Sequence, residues 1–581
     1  MNYFAATNSR PPHLEFSIKP LINYLEVMKR MGLPEILDGN RARHWLHQGM
    51  SRGWVATIWL AHILTQGDHR KVVVREWVEE MKETLERVTG QAIRETDFTD
   101  DRLTLVLRDL SRTSGWMNIE SELASRTVKV YNLKAKRIRV DATTVSGYHD
   151  GGEGGLWQFG HSKDAPGLMQ VKVMGASLDP LGMPLVTEVV SGEKADDRLY
   201  GPVIRQVVRI LEQDEMLFVG DSKLSSLGNR GQVVGLKQWY LTPPALVGHT
   251  RREVANWIEQ ALKEKNLTPV TRVNAEGKVI ELGWGYETSR ECQVRLGGMD
   301  LEWIERVVVV YTHEAAEAQV RGVEQRLATA TAKLQALTPP RARAVRQFTT
   351  EADVMAAAEA IVRQHRVEGL LTYSFERQVE TQEKLLGRGR AGINRPTHTV
   401  ERVRYQITSV SRSEAAIKAH CDTLGWRVYL TNAPVAQLSL QDVVLTYRDQ
   451  WLIERGFHRL KGIPLSLNPV FVHRDDQVTG LIHLLSLALR VLSLIEFTVR
   501  RALALSSHSL VGLHLENPKK PSSHPTAERL LWAFRRLTLT IVSFPDRVAR
   551  HLTPLTPLQI QILELLGFPP SIYSSLALDS P

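Results

Sequence analysis

The chain has 581 residues, 43% hydrophobic and 24% charged, with no long low-complexity tract, which excludes a fibrous or fully disordered protein and calls for several folded domains. Lysine and arginine total 73 against 64 acidic residues, a formal charge of +9, so a polyanionic partner is expected, nucleic acid ahead of an anionic membrane. Cys292 and Cys421 are the only cysteines and form no CxxC, so neither a disulfide framework nor a structural zinc site is supported, and a reducing, cytoplasmic setting fits.

The first twenty residues lack a basic start followed by an apolar core, so no secretory signal is expected. From Leu14 to about Ser125 the pattern is helical, with Leu21, Ile22, Leu25, Met28 and Met31 at helical spacing, which predicts a helical domain over 1–130. Basic residues such as Lys29, Arg30, Arg41 and Arg70 punctuate it and make it a candidate for DNA contact.

At residue 136 the texture changes. KRIRVDATTV reads as a strand carrying Asp141, and LMQVKVMGASL (168–178) and MPLVTEVVS (183–191) follow as two more. Asp179-Pro180-Leu181-Gly182 between them suits a tight hairpin turn, so three antiparallel strands are predicted. A helix from Asp196 to about Glu212 comes next, then a short apolar strand, EMLFVGDS, ending on Asp221. Residues 131–242 are therefore the first part of an α/β core, and 243–424, helices between strand-like runs, read as an inserted α+β domain.

The core resumes over 425–505 with the strand WRVYLTN and one helix through SLQDVVLTYRDQWLIERGFHRLKG. The apolar run from Thr479 contains His483, Arg490 and Glu496, so it is expected to be a buried helix and not a membrane span. Residues 506–581, with Pro518, Pro521 and Pro525 near their start, are predicted as a helical appendage.

Tyr447, Gln450, Glu454, His458 and Lys461 step by three or four and share one face of the predicted helix. Asp141 lies within an apolar strand and Asp221 ends another, positions where a surface salt bridge is a poor explanation. Burying unpaired carboxylates costs several kcal/mol, and acids that meet at strand ends are commonly neutralised by a shared cation. Asp, Asp and Glu offer hard oxygen ligands, which suit Mg²⁺ or Mn²⁺ over zinc. Two such ions can activate an attacking hydroxyl and stabilise the leaving oxygen of a phosphodiester.

On these residues the chain resembles the DDE transposases of bacterial insertion sequences, which have an RNase H-like core. RVDATTV matches the strand carrying the first acid, FVGDS the end of strand four, and the late helix a Y-x2-R-x3-E-x6-K pattern at Tyr447, Glu454 and Lys461, with Gln450 where arginine is common. The resemblance covers most of the chain, including QFGHSKDAPGLMQVKV after the first strand, and implies an RNase H-like mixed-sheet core with an inserted domain and a helical amino-terminal domain. It also implies Asp141, Asp221 and Glu454 as catalytic, metal-holding residues for two Mg²⁺ or Mn²⁺ ions, and cleavage of element ends followed by 3′-hydroxyl attack on target DNA. Candidate DNA contacts are Tyr447, Gln450, His458 and Lys461 on the helix, Lys223 beside the second acid, and His161 and Lys163 in the loop. Double-stranded DNA is the expected partner, a homodimer or larger complex the expected assembly, and a bacterial cytoplasm, at the nucleoid when DNA-bound, the expected location.

Other signals are set aside. GLWQFGHS nearly matches a phosphate-binding loop, but His161 stands where lysine belongs and no strand immediately feeds it. Asp196 and Asp197 compete with Asp221 but open a helix, where acids serve as caps. Asp449 competes with Glu454 but points away from the Tyr447 and Lys461 face. Trp239, Trp257, Trp284 and Trp303 lie near or in the insertion, where an exposed indole could stack on an unpaired base. Two other functions share these acids or their ancestry: an RNase H-like nuclease or resolvase that only hydrolyses, and a non-catalytic DNA-binding descendant of a transposase.

Overall fold

The structure, a computed structural model, describes residues 13–40, 48–160, 165, 167–274, 277–340, 347–386, 396–544 and 547–578. It opens on a short strand, β1 (His13–Ser17), and continues through helices α1 (Leu21–Arg30), α2 (Leu33–Gly39), α3 (Arg52–Gln66), α4 (Lys71–Thr89), α5 (Asp100–Leu110) and α6 (Thr113–Val130). In α1 the apolar residues Leu21, Ile22, Leu25 and Met28 recur at helical spacing and are all buried. Ser51 starts α3 by accepting from the Trp54 N–H, and Gly67, in the left-handed region at φ 68°, ends it. The helical pattern is met from Leu21 onwards, whereas the stretch at Leu14 is extended.

The central element is a nine-stranded mixed sheet. Its first three strands, β2 (Arg137–Gly147), β3 (Met169–Leu178) and β4 (Met183–Ser191), pair antiparallel in sequence order. Helix α7 (Asp197–Leu211) leads to β5 (Leu217–Gly220), which returns to pair parallel with β2; α8 (Leu227–Gly235) then leads to β6 (Trp239–Thr242), parallel with β5. After α9 (Gly248–Lys263), strands β7 (Thr268–Val273), β8 (Val279–Leu296) and β9 (Met299–Thr312) form an antiparallel meander.

Helices α10 (His313–Leu337) and α11 (Glu351–His365), the hairpin β10 (Leu371–Leu385) with β11 (Thr397–Arg412), and α12 (Glu414–Asp422) follow. The strand β12 (Trp426–Thr431) brings the chain back, pairing with both β6 and β9, so the sheet reads β4-β3-β2-β5-β6-β12-β9-β8-β7. The segment 243–424 is therefore not one separate domain. Its strands β7 to β9 lengthen the sheet through β12, while α10, α11, α12 and the hairpin enclose a core of their own around Val323, Leu327, Val354 and Ile407. Pairing between distant strands leaves no local trace in the sequence, which is why one continuous insertion was the expectation.

Beyond β12 come α13 (Leu440–Arg448), α14 (Trp451–Lys461), the long α15 (Asp475–Ser506), α16 (Ala527–Trp532), β13 (Thr538–Ser543), β14 (Val548–Leu552) and α17 (Pro557–Leu566). Helix α15 is long and apolar enough to cross a membrane, but 94% of its most apolar window is buried inside the protein. His483 stacks on Trp116 at 4.1 Å, and Arg490, fully buried, donates to the Leu185 carbonyl and faces Glu120 at 3.9 Å. The carboxyl-terminal segment differs from the predicted helical appendage, since β13 pairs antiparallel with both β1 and β14. Arg30 of α1 further donates to the carbonyls of Leu566 and Gly567, so the two ends of the described chain pack as one unit.

Candidate active site

Strands β2 and β5 run parallel with Val140 in register with Gly220. Asp141, the next residue of β2, and Asp221, the first residue past β5, thus come side by side on neighbouring strands. Asp141 accepts from its neighbour's Ala142 N–H at 2.9 Å. One oxygen of Asp221, Oδ1, accepts from the Tyr200 hydroxyl at 2.6 Å and from the Lys223 N–H at 2.8 Å. The Asp221 backbone carbonyl is itself held by the Thr242 hydroxyl at 2.6 Å.

Across the sheet, Asp141 is paired with Gly175 of β3. Directly paired residues point to the same face. A Cβ added at Gly175 would lie 3.2 Å from the Phe457 ring of α14, so the missing side chain lets that helix lie close on the face that carries Asp141. Glu454 stands three residues before Phe457, exposed in the first turn of α14, where a carboxylate also suits the helix dipole.

The predicted continuous helix is in fact broken between α13 and α14. Arg139, two residues before Asp141 and fully buried, donates to both carboxylate oxygens of Asp179 at 3.1 and 2.9 Å and to the Thr446 carbonyl at 3.0 Å. In an unbroken helix that carbonyl would accept from the Gln450 N–H, which instead bonds the Tyr447 carbonyl at 3.0 Å. The strand that carries the first acid therefore grips the break that sets the direction of the Glu454 helix.

Gln450, expected as a DNA contact, turns inward and is buried, with its Oε1 accepting from Arg139 at 3.4 Å. Tyr447 is half-buried, packed on Tyr429 at 4.9 Å, and lies in the field of both aspartates; burial, Tyr429 and then Asp221 hold its phenol above the usual range. Lys223 and His458 are exposed and Lys461 is half-buried. His161 and Lys163 lie outside the described residues.

The arginines around Glu454 are already engaged. Arg455, Arg459 and Arg500 converge on buried Glu496 of α15 at 2.7, 2.6 and 2.8 Å, and Arg459 also meets Glu528 at 2.7 Å. Arg448 pairs with Glu314. Asp196, expected as a cap, makes no capping hydrogen bond and pairs at 2.6 Å with Lys172, a buried residue of β3. Asp449 is exposed at the helix break. The indoles of Trp257, Trp284 and Trp303 are engaged by Arg290, Tyr311 and the Tyr240 hydroxyl respectively.

Burial, the adjacent Asp221 charge, and more weakly Glu454 and Asp196 push the Asp141 carboxyl up to about 7, against the pull of the Ala142 N–H. Among the described residues none of Asp141, Asp221 and Glu454 is ion-paired with lysine or arginine, so three acids share one region without a protein cation. An oxygen-only donor set of this kind fits a hard divalent ion. Among the described residues no group of three His, Cys, Asp or Glu side chains is arranged to hold a metal ion, so the three acids do not form a coordination shell in this structure. Sequence reasoning missed Arg139, Tyr200 and Gly175. Only the glycine left a signal, because a glycine inside an apolar strand marks a close approach.

A family model described as "Transposase DDE domain" matches residues 133–491, a span that begins before β2 and ends within α15. Among curated proteins none matches the chain. One solved structure that matches is the cryo-EM structure of piggyBac transposase synaptic complex with hairpin DNA, at 9% identity and a TM-score of 0.25, covering 51% of this chain and 59% of that one. The chain thus spans less than two thirds of that neighbour's length.

Proposed function

The chain belongs to the Transposase DDE domain family, and from that premise we propose that it is a DNA transposase of an insertion sequence whose catalytic acids are Asp141, Asp221 and Glu454. The observation that carries the reading is the side-by-side placement of Asp141, a half-buried strand acid, and Asp221, with Glu454 on α14 adding its charge to the same field, all without a cationic partner among the described residues. Sheet order supports an RNase H-like core, since three antiparallel strands are followed by two parallel ones returning beside the first.

Asp141, Asp221 and Glu454 would hold two Mg²⁺ or Mn²⁺ ions. When bound there, such ions supply charge stabilisation at the attacking and leaving oxygens of a phosphodiester. The chain's own part is to set the geometry: the strand register fixes the two aspartates, the Arg139 grip and Gly175 direct the Glu454 helix towards them, and Lys223 and Lys461 offer cations, and the exposed His458 ring a hydrogen bond, to phosphate oxygens. A near-attack geometry held this way accounts for a large share of rate. Joining two element ends to target DNA calls for at least two copies of the chain.

The test is cleavage of a plasmid carrying the element's own ends. Mg²⁺-dependent cleavage that disappears in Asp141→Asn, Asp221→Asn and Glu454→Gln, with DNA binding kept, is the expected result. Cleavage surviving in all three contradicts the assignment. Precleaved ends that are joined to target DNA separate a transposase from a nuclease that stops at hydrolysis.

A further inference from the structure

Asp221 is gripped at one oxygen only. Oδ1 receives two donors, the Tyr200 hydroxyl at 2.6 Å and the Lys223 N–H at 2.8 Å, whereas among the described residues no donor is placed on Oδ2. A carboxylate oxygen with two donors has its lone pairs engaged in the carboxylate plane. The other oxygen is left for a ligand. Asp221 is therefore oriented before any ion arrives.

The tyrosine reaches this place through the packing of the fold. Tyr200 sits in the first turn of α7, 1% exposed, with its ring against the end of β5. Gly220, the residue before Asp221, makes the approach possible, since a Cβ there would lie 3.0 Å from Tyr200 Cε1. The Thr242 hydroxyl holds the Asp221 carbonyl at 2.6 Å, so the backbone is fixed on one side while the side chain is fixed on the other. A lone hydroxyl aimed at a candidate ligand from a buried, rigid element is how partners outside the coordination shell orient the ligands within it.

We infer that Tyr200 is a positioning residue that presets Asp221 to bind a divalent ion through Oδ2 alone, with Gly220 conserving the space for its ring. This rests on the reading of Asp221 as a metal-holding residue. Tyr200 touches neither substrate nor ion in this arrangement; it acts through the carboxylate. Removing its hydroxyl leaves Oδ1 with only the Lys223 N–H and frees the carboxylate to rotate.

The experiment is titration of the full-length protein with Mn²⁺, by calorimetry and by electron paramagnetic resonance of the free ion, for wild type, Tyr200→Phe, Gly220→Ala and Asp221→Asn. Loss of such an orienting partner lowers metal affinity by about 10- to 100-fold, and that loss is expected in Tyr200→Phe. Melting temperature in EDTA and metal-free DNA affinity should stay at the wild-type values, which a general loosening of the fold would not allow. Gly220→Ala, whose Cβ would press on the Tyr200 ring and on Leu224 at 3.0 Å each without removing the hydroxyl, is expected to weaken Mn²⁺ in the same direction. Affinity in Tyr200→Phe equal to wild type, with Asp221→Asn still defective, overturns the positioning role and leaves the metal reading standing. Mn²⁺ binding that Asp221→Asn does not alter overturns both.

Discussion

Asp141 holds its proton to about pH 7 because burial and the neighbouring Asp221 charge oppose its ionisation. Its folded value lies above the unfolded one of about 3.9, so the stability it contributes is full below that value and is lost as pH rises through 7. Taking about 1.4 kcal/mol per pKa unit over a rise of about 3 units, the loss is on the order of 4 kcal/mol. Asp141→Asn removes the titration, and its melting temperature in EDTA is expected to exceed that of wild type at pH 8, by a margin that shrinks as pH falls towards 4. Mg²⁺ at pH 8 should raise wild type and leave the asparagine variant unmoved. Parallel melting curves for the two proteins across that range would contradict the crowding of acids.

Two of these acids were legible because an aspartate inside or at the end of an apolar strand lacks a cheap structural explanation. Glu454 was singled out by the helical face it shares with Tyr447 and Lys461 and by the two strand aspartates, since helical spacing alone cannot tell a metal-holding acid from one on a solvated face. The arginines beside it are taken up within the fold. Arg448, Arg455 and Arg459 are answered by Glu314, Glu496 and Glu528, acids remote in sequence, and no local pattern reveals such partners.

At the scale of elements, α14 is held between the sheet and α15. Glu496 binds three guanidiniums, two of them from α14, and its carboxyl stays below the usual range because Arg459, Arg500 and Arg455 outweigh the cost of burial. Removing the acid of a buried ionic cluster costs about 3–5 kcal/mol, because the charges left behind are unpaired. Glu496→Gln is expected to lower the melting temperature and to weaken cleavage together, as α14 loses its anchor. A variant with wild-type melting would contradict that role.

On the opposite side of the helix, Gly175→Val inserts atoms where a Cβ alone already meets Phe457 at 3.2 Å. Lifting Glu454 by about an ångström is expected to cost roughly 100-fold in cleavage rate, with metal-free DNA binding retained. An unchanged cleavage rate would show that α14 does not set the position of Glu454. The break between α13 and α14 was not visible in the sequence. Tyr447, Gln450 and Glu454 keep helical spacing across it, and the cause is a buried arginine more than 300 residues earlier in the chain.

For the whole molecule, the order of three antiparallel strands, a helix and a fourth strand was readable because each element carries its own apolar pattern and turn residues. The continuation of the sheet through β12 into β9, β8 and β7, and the pairing of β1 with β13, join segments hundreds of residues apart and depend on contacts that periodicity does not encode. The formal charge of +9 is thus spread over a molecule whose basic residues are partly consumed by internal pairs. Lys223, two residues past Asp221, and Lys461, about two turns beyond Glu454 on α14, make no ion pair among the described residues. Replacing both with alanine is expected to reduce the slope of log affinity against log salt by about 1.8, at roughly 0.9 per phosphate contact. A slope equal to wild type would place the DNA elsewhere on the surface.

Anomalous diffraction from Mn²⁺ in crystals of the protein with its terminal DNA tests most directly the claim that three acids distant in sequence serve one metal centre. The account predicts anomalous peaks coordinated by Asp141, Asp221 and Glu454 together, next to a phosphate of the DNA. Peaks ligated by the aspartates alone, with Glu454 turned to solvent, or peaks at another cluster of acids, would contradict it.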